Sequence, residues 1–132
     1  MPVLRKTRLT LPIRYVVTLS SAPAAADFDA GVEANRNGDY QTAFTEIREA
    51  ALGSDNRAYG KLGSMYLYGL GTEKDYHQAY VWFHMAHLSG EREAERFRDA
   101  ASSMLSREAY ASAVQAAEEQ GIALDLEQTP QQ

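Results

Sequence analysis

This sequence predicts an all-α fold, a short α-solenoid of antiparallel helix pairs, and three observations carry the prediction. No proline occurs between Asp27 and Gln120. The apolar residues of that stretch recur three and four apart, the spacing that gathers them on one face of a helix. One block of the pattern also returns 36 residues later, and a period in the thirties with two helices per unit is that of a helical solenoid. At 132 residues without cysteine, the chain suffices for one compact domain or one short array. It can hold no disulfide, thiolate nucleophile or Cys-ligated zinc.

The first 26 residues stand apart. They carry Arg5, Lys6, Arg8 and Arg14 and no acid. The apolar segment Tyr15–Leu19 leads into Ser20, Ser21, Ala22, Pro23, Ala24, Ala25 and Ala26. Basic, apolar and small-residue regions in that order read as a cleavable export signal ending near Ala26. The competing reading is a disordered basic leader or a misassigned start. Residues 27–132 then carry 9 bases and 18 acids, a formal charge of −9. So acidic a body repels phosphate backbones, and nucleic-acid binding is not expected. No apolar run approaches the roughly 20 residues of a membrane-spanning helix.

Six helices follow in order. The first covers about 28–36 and ends at Asn37-Gly38-Asp39. The second carries Tyr40, Ala43, Phe44, Ile47, Ala50 and Ala51 on its stripe and ends at Gly53-Ser54-Asp55, where Asp55 can cap the third. The third presents Tyr59, Leu62, Met65 and Tyr66 and ends at Gly69-Leu70-Gly71-Thr72. The fourth, capped by Asp75, presents Tyr76, Ala79, Tyr80, Phe83 and Ala86. The fifth carries Ala94, Phe97, Ala101 and Met104, and the sixth, capped by Ser106, carries Tyr110, Ala113, Val114 and Ala117. Each is about three turns long, too short to persist alone in water, so the stripes must cover one another. The expected organisation is a first pair over 28–53, a second over 55–90, a capping pair over 91–120 and a flexible tail over 121–132.

The repeat lies in the first two pairs. Gly38-Asp39-Tyr40 returns as Lys74-Asp75-Tyr76, and Ala43, Phe44, Ile47 and Ala50 return as Ala79, Tyr80, Phe83 and Ala86. Gly31 and Gly63 are 32 apart, because the turn of the second pair is longer by four residues. Small residues at these positions let two helices cross closely.

Ala58-x-x-x-Leu62-Gly63-x-Met65-Tyr66-x-x-Gly69-x-Gly71, followed by Asp75-x-x-x-Ala79-x-x-Trp82-x-x-x-Ala86-x-x-x-Gly90, resembles the Sel-one-like repeat family of the tetratricopeptide-like superfamily. Gly31, Ala34, Gly38-Asp39-Tyr40, Ala43, Ile47 and Ala50 resemble an ordinary tetratricopeptide unit. Residues 92–119, with Met104-Leu105-Ser106-Arg107-Glu108, are similar to the cap that often closes small bacterial proteins of this kind. Thr72 and His87 depart from the pattern, at positions usually Val and Ala. The resemblance implies protein or peptide binding by an adaptor or scaffold, with catalysis exceptional and exported members common; the chain is expected to be no enzyme, to need no cofactor and to reside in a bacterial periplasm or be secreted. The resemblance also implies that the first helix of each pair lines the concave face. That register selects Phe28, Val32, Asn35 and Arg36 from the first pair, and Arg57, Gly60, Ser64, Leu67 and Tyr68 from the second.

Other chemistry is weaker. His84 and His87 share a helix face with His77 two turns earlier, but three ligands on one straight helix cannot surround a metal. Glu91, Glu93 and Glu95 among Arg92, Arg96 and Arg98 form a solvated face of i,i+4 pairs rather than a carboxylate dyad. No serine sits in a nucleophile elbow, and Gly69-Leu70-Gly71 lacks the preceding strand of a phosphate loop. The alternatives to a binding adaptor are a cell-wall-related hydrolase and a purely structural subunit of an assembly.

Overall fold

The computed structural model describes residues 26–128, so the proposed export segment lies outside it but for Ala26. Among the described residues six α-helices follow one another: α1 (Phe28–Arg36), α2 (Tyr40–Leu52), α3 (Tyr59–Tyr68), α4 (Tyr76–Leu88), α5 (Ala94–Ser103) and α6 (Arg107–Gln128). A 3₁₀ turn, Asn56–Ala58, leads into α3. No strand occurs among the described residues.

Aspartates and one serine begin the elements. Asp27 accepts from the Ala30 amide at 3.1 Å, Asp39 from Thr42 at 3.3 Å, Asp55 from Arg57 at 3.1 Å and Asp75 from Gln78 at 3.0 Å. Ser106 Oγ accepts from the Ala109 amide at 3.1 Å. Each satisfies a donor that the first turn of a helix leaves orphaned.

The first two pairs use the same packing device. A Cβ on Gly31 would stand 2.8 Å from Ile47 Cγ1, and one on Gly63 would stand 2.9 Å from Phe83 Cδ1. The missing side chain lets α1 rest on α2, and α3 on α4, with Ile47, Leu62 and Phe83 sealed between them. Each of these buried side chains contributes about 1.5–3 kcal/mol. Between the pairs, Phe44 meets Tyr66 edge-on at 5.4 Å. The longer turn of the second pair also presses on α2. Gly69 and Gly71 adopt φ of +71° and +73°, conformations that side chains resist. A Cβ on Gly71 would collide with the Tyr40 carbonyl and Phe44.

Helix α4 is the centre of the molecule. Ala79, Tyr80, Val81, Trp82, Phe83, Met85 and Ala86 are all buried on it, so it is covered on several sides at once. Helix α3 covers one side, where Tyr59 lies 5.8 Å from Trp82. Helices α5 and α6 cover others, each leaning on α4 rather than on the other. A third pair was expected here, and two helices straddling a third stand in its place. Their stripes are too thin for more: α5 buries only Ala94 and Ala101.

The last helix also departs from expectation. It does not stop at Gly121 to release a tail, but runs on to Gln128 and buries Leu124. Residues 129–132 lie outside the described part.

Candidate functional site

Phe28, Val32 and Asn35 are four and three residues apart on α1, so they share one face. Arg57, Lys61, Ser64 and Tyr68 lie on a matching stripe along the 3₁₀ turn and α3. The structure brings parts of these two stripes together at two places.

At the first, the Arg57 guanidinium carbon lies 4.5 Å from the centre of the Phe28 ring. Arg57 is also bound to Asp55, through Nε to Oδ1 at 3.0 Å and Nη2 to Oδ2 at 2.7 Å. Asp29 adds a carboxylate 3.8 Å from Nη1. The hydrogen bond to Arg57 holds the Asp55 carboxyl below its ordinary value despite some burial, and the same bond pushes Arg57 up. Arg57 therefore clamps the start of α3 to α1, and its charge is largely spent within the protein.

At the second, Asn35, Lys61 and Ser64 edge a groove of about 130 Å³ whose apolar lining is Ile47, Met65 and Leu70. Ser64 Oγ donates to the Gly60 carbonyl at 3.1 Å, which leaves its lone pairs free to accept. Lys61 is exposed and has no acid within ion-pair distance among the described residues. Among the described residues it is the one cation lining this groove, and the family register does not select it.

The remaining predicted residues are dispersed. Val32 and Leu67 are half-buried, Leu67 against the core. Arg36 is exposed, 3.7 Å from Glu33. Tyr68 is 55% exposed at the end of α3. Gly60 does not open into the groove: a Cβ there would meet the Glu91 carboxylate at 2.5 Å.

A larger open cleft of about 710 Å³ lies between the 53–56 turn, the end of α4 and the late part of α6. Tyr59, Met85, Leu88 and Leu124 supply its apolar wall, and Ser54 and Asp55 part of its polar edge. The Ser54 hydroxyl is buried with no hydrogen-bond partner among the described residues. A helix expected to end at residue 120 could not announce this cleft. Among the described residues, its one carboxylate is engaged by Arg57 and no cation lines it. It offers a ligand less directional chemistry than the smaller groove.

No group of three or more His, Asp or Glu residues placed to hold a metal occurs among the described residues. No helix among them is long and apolar enough to cross a membrane. No known family description, curated protein or solved structure matches the chain.

Proposed function

We propose that the chain is a non-catalytic adaptor or scaffold of the Sel-one-like, tetratricopeptide-like kind. On this reading it is a short helical solenoid that binds an extended peptide segment of a protein partner along the face shared by α1 and α3. One observation carries the reading. Lys61, with no acid in reach among the described residues, stands beside Asn35 and Ser64 over a small apolar floor. A cation and an amide donor above a pocket of that size suit a carboxylate next to one apolar side chain. Tyr68, exposed farther along the same stripe, supplies an aromatic contact of the type that concentrates binding energy. The groove is small, so affinity for a single peptide is modest unless another domain or copy adds to it. Export to a bacterial periplasm, or secretion, belongs to the same proposal and is supported by the basic, apolar and small-residue order of residues 1–26.

Peptides selected by display on the full chain, synthesised with free and with amidated carboxyl termini, test this by fluorescence anisotropy. Binding of the free-carboxylate form is expected to weaken at least tenfold in Lys61→Glu, since a charge-assisted hydrogen bond contributes about 1.5–3 kcal/mol. Helicity should be retained, because Lys61 is exposed. Equal binding by Lys61→Glu and the parent, or indifference to amidation, would refute the proposal.

A further inference from the structure

Helix α4 is held to its two later neighbours by separate aromatic contacts. Phe83 stacks on Phe97 of α5 at 5.4 Å and 21°. Tyr80 meets Tyr110 of α6 edge-on at 5.5 Å and 81°. His84, one turn after Tyr80, lies beside the second contact, with its ring parallel to that of Tyr80 at 6.1 Å and 7°, and it is close enough to Arg98 of α5 to feel that charge. Its Nδ1 is buried and has no hydrogen-bond partner among the described residues. The seam has mixed charge: His87 faces it from α4, Arg98 from α5 and Glu118 from α6. Arg98 is partly neutralised by Asp99 at 3.0 Å and Glu95 at 3.6 Å.

A neutral imidazole tolerates this place, because a buried acceptor costs less than a buried charge. Protonation turns both ring nitrogens into donors and leaves Nδ1–H without an acceptor beside a second cation. We propose that His84 is an acid-sensitive latch: its protonation loosens α5 and α6 from α4 while α1 and α2 stay packed. The device is independent of what the α1–α3 face binds.

Burial holds His84 below its ordinary value of 6.5, Arg98 and His87 push the same way, and Glu118 opposes them. Protons therefore bind the loosened state more tightly than the closed one. The latch is fully closed above pH 6.5 and weakens as pH falls below it. Each unit of lowering multiplies the opening constant about tenfold across that window.

The test has two arms on the full chain. In the first, the His84 ring is followed by NMR from neutral to mildly acidic pH, and a midpoint below 6.5 is expected. In the second, amide hydrogen exchange corrected for intrinsic rates is mapped at neutral pH and about one unit below 6.5. Acceleration up to about tenfold is expected in α5 and α6, none in α1 and α2, and no pH effect on α5 and α6 in His84→Phe, which keeps an aromatic ring against Tyr80. A His84 midpoint at or above 6.5 overturns the proposal. So does equal loosening of every helix, or an unchanged pH response in His84→Phe. If that variant does not fold, the His84 titration and the wild-type exchange map decide the matter.

Discussion

Alanine at Gly63 places a methyl group where α3 and α4 leave no space for one. Its Cβ would stand 2.9 Å from Phe83 Cδ1 and 3.0 Å from both Cε1 and Cγ. Real Cβ atoms do not approach a ring so closely, so the ring or the helix must shift. The ring has nowhere to go: Phe83 is 1% exposed and is already stacked on Phe97. Overpacking of this kind costs about 1–3 kcal/mol. Alanine recovers about 1 kcal/mol from its better helix propensity, so the expected net effect is a loss of up to about 2 kcal/mol. Gly60→Ala, one turn away, is the control. There the closest atoms belong to the carboxylate of the exposed Glu91, which can swing aside, and a gain of up to about 1 kcal/mol is expected. Urea unfolding followed by far-UV circular dichroism reads both, and thermal melting should separate the variants by several degrees. A Gly63→Ala protein that gained as much stability as Gly60→Ala would refute the close crossing and the packing argument built on it.

Two further substitutions probe other parts of the fold. Leu124→Ala removes the side chain that anchors the late turns of α6; a loss of about 2 kcal/mol or more in urea unfolding is expected, and no loss would mean that α6 ends near Gly121. Asp55→Ala removes both the cap of the 3₁₀ turn and the Arg57 clamp, at a cost of about 1 kcal/mol near neutral pH. Because the Asp55 carboxyl is held below 3.8 in the folded protein, its contribution is full above 3.8 and lost as pH falls through the lowered value. The gap between parent and variant should therefore close in acid, and a gap that widened there would contradict the assignment.

The first four helices were legible because local and tertiary signals agree. Asp39, Asp55 and Asp75 sit where caps are needed, and Gly31 and Gly63 sit where helices touch. The end of α6 was not legible, because two signals conflict and only packing decides between them. Glycine within a helix costs about 1 kcal/mol relative to alanine, which favours a stop at Gly121. Burying the Leu124 side chain returns about 1.5–3 kcal/mol, which outweighs it. That return depends on a wall made by the 53–56 turn and the end of α4, which no stretch of α6 encodes. The missing third pair has the same origin: periodicity identifies a stripe on α5, and its width determines how many neighbours it can hold.

At the candidate site, Arg57 and Lys61 look interchangeable by position, since they stand one turn apart on one face with the same charge. What separates them is the acid each can reach. Asp55, two residues before Arg57, is held at the start of the 3₁₀ turn by its capping duty and takes the guanidinium with two hydrogen bonds. A cation already matched to a carboxylate in this way gives a ligand little, because the ligand must first displace that partner. The residues three and four away from Lys61 are Arg57, Ala58, Ser64 and Met65, none of them acidic, so the helix itself offers no partner. Counting acids within reach of each base would have ranked Lys61 above Arg57 from the sequence alone. The register of a repeat assigns residues to a face, and the charge each retains there depends on its immediate neighbours.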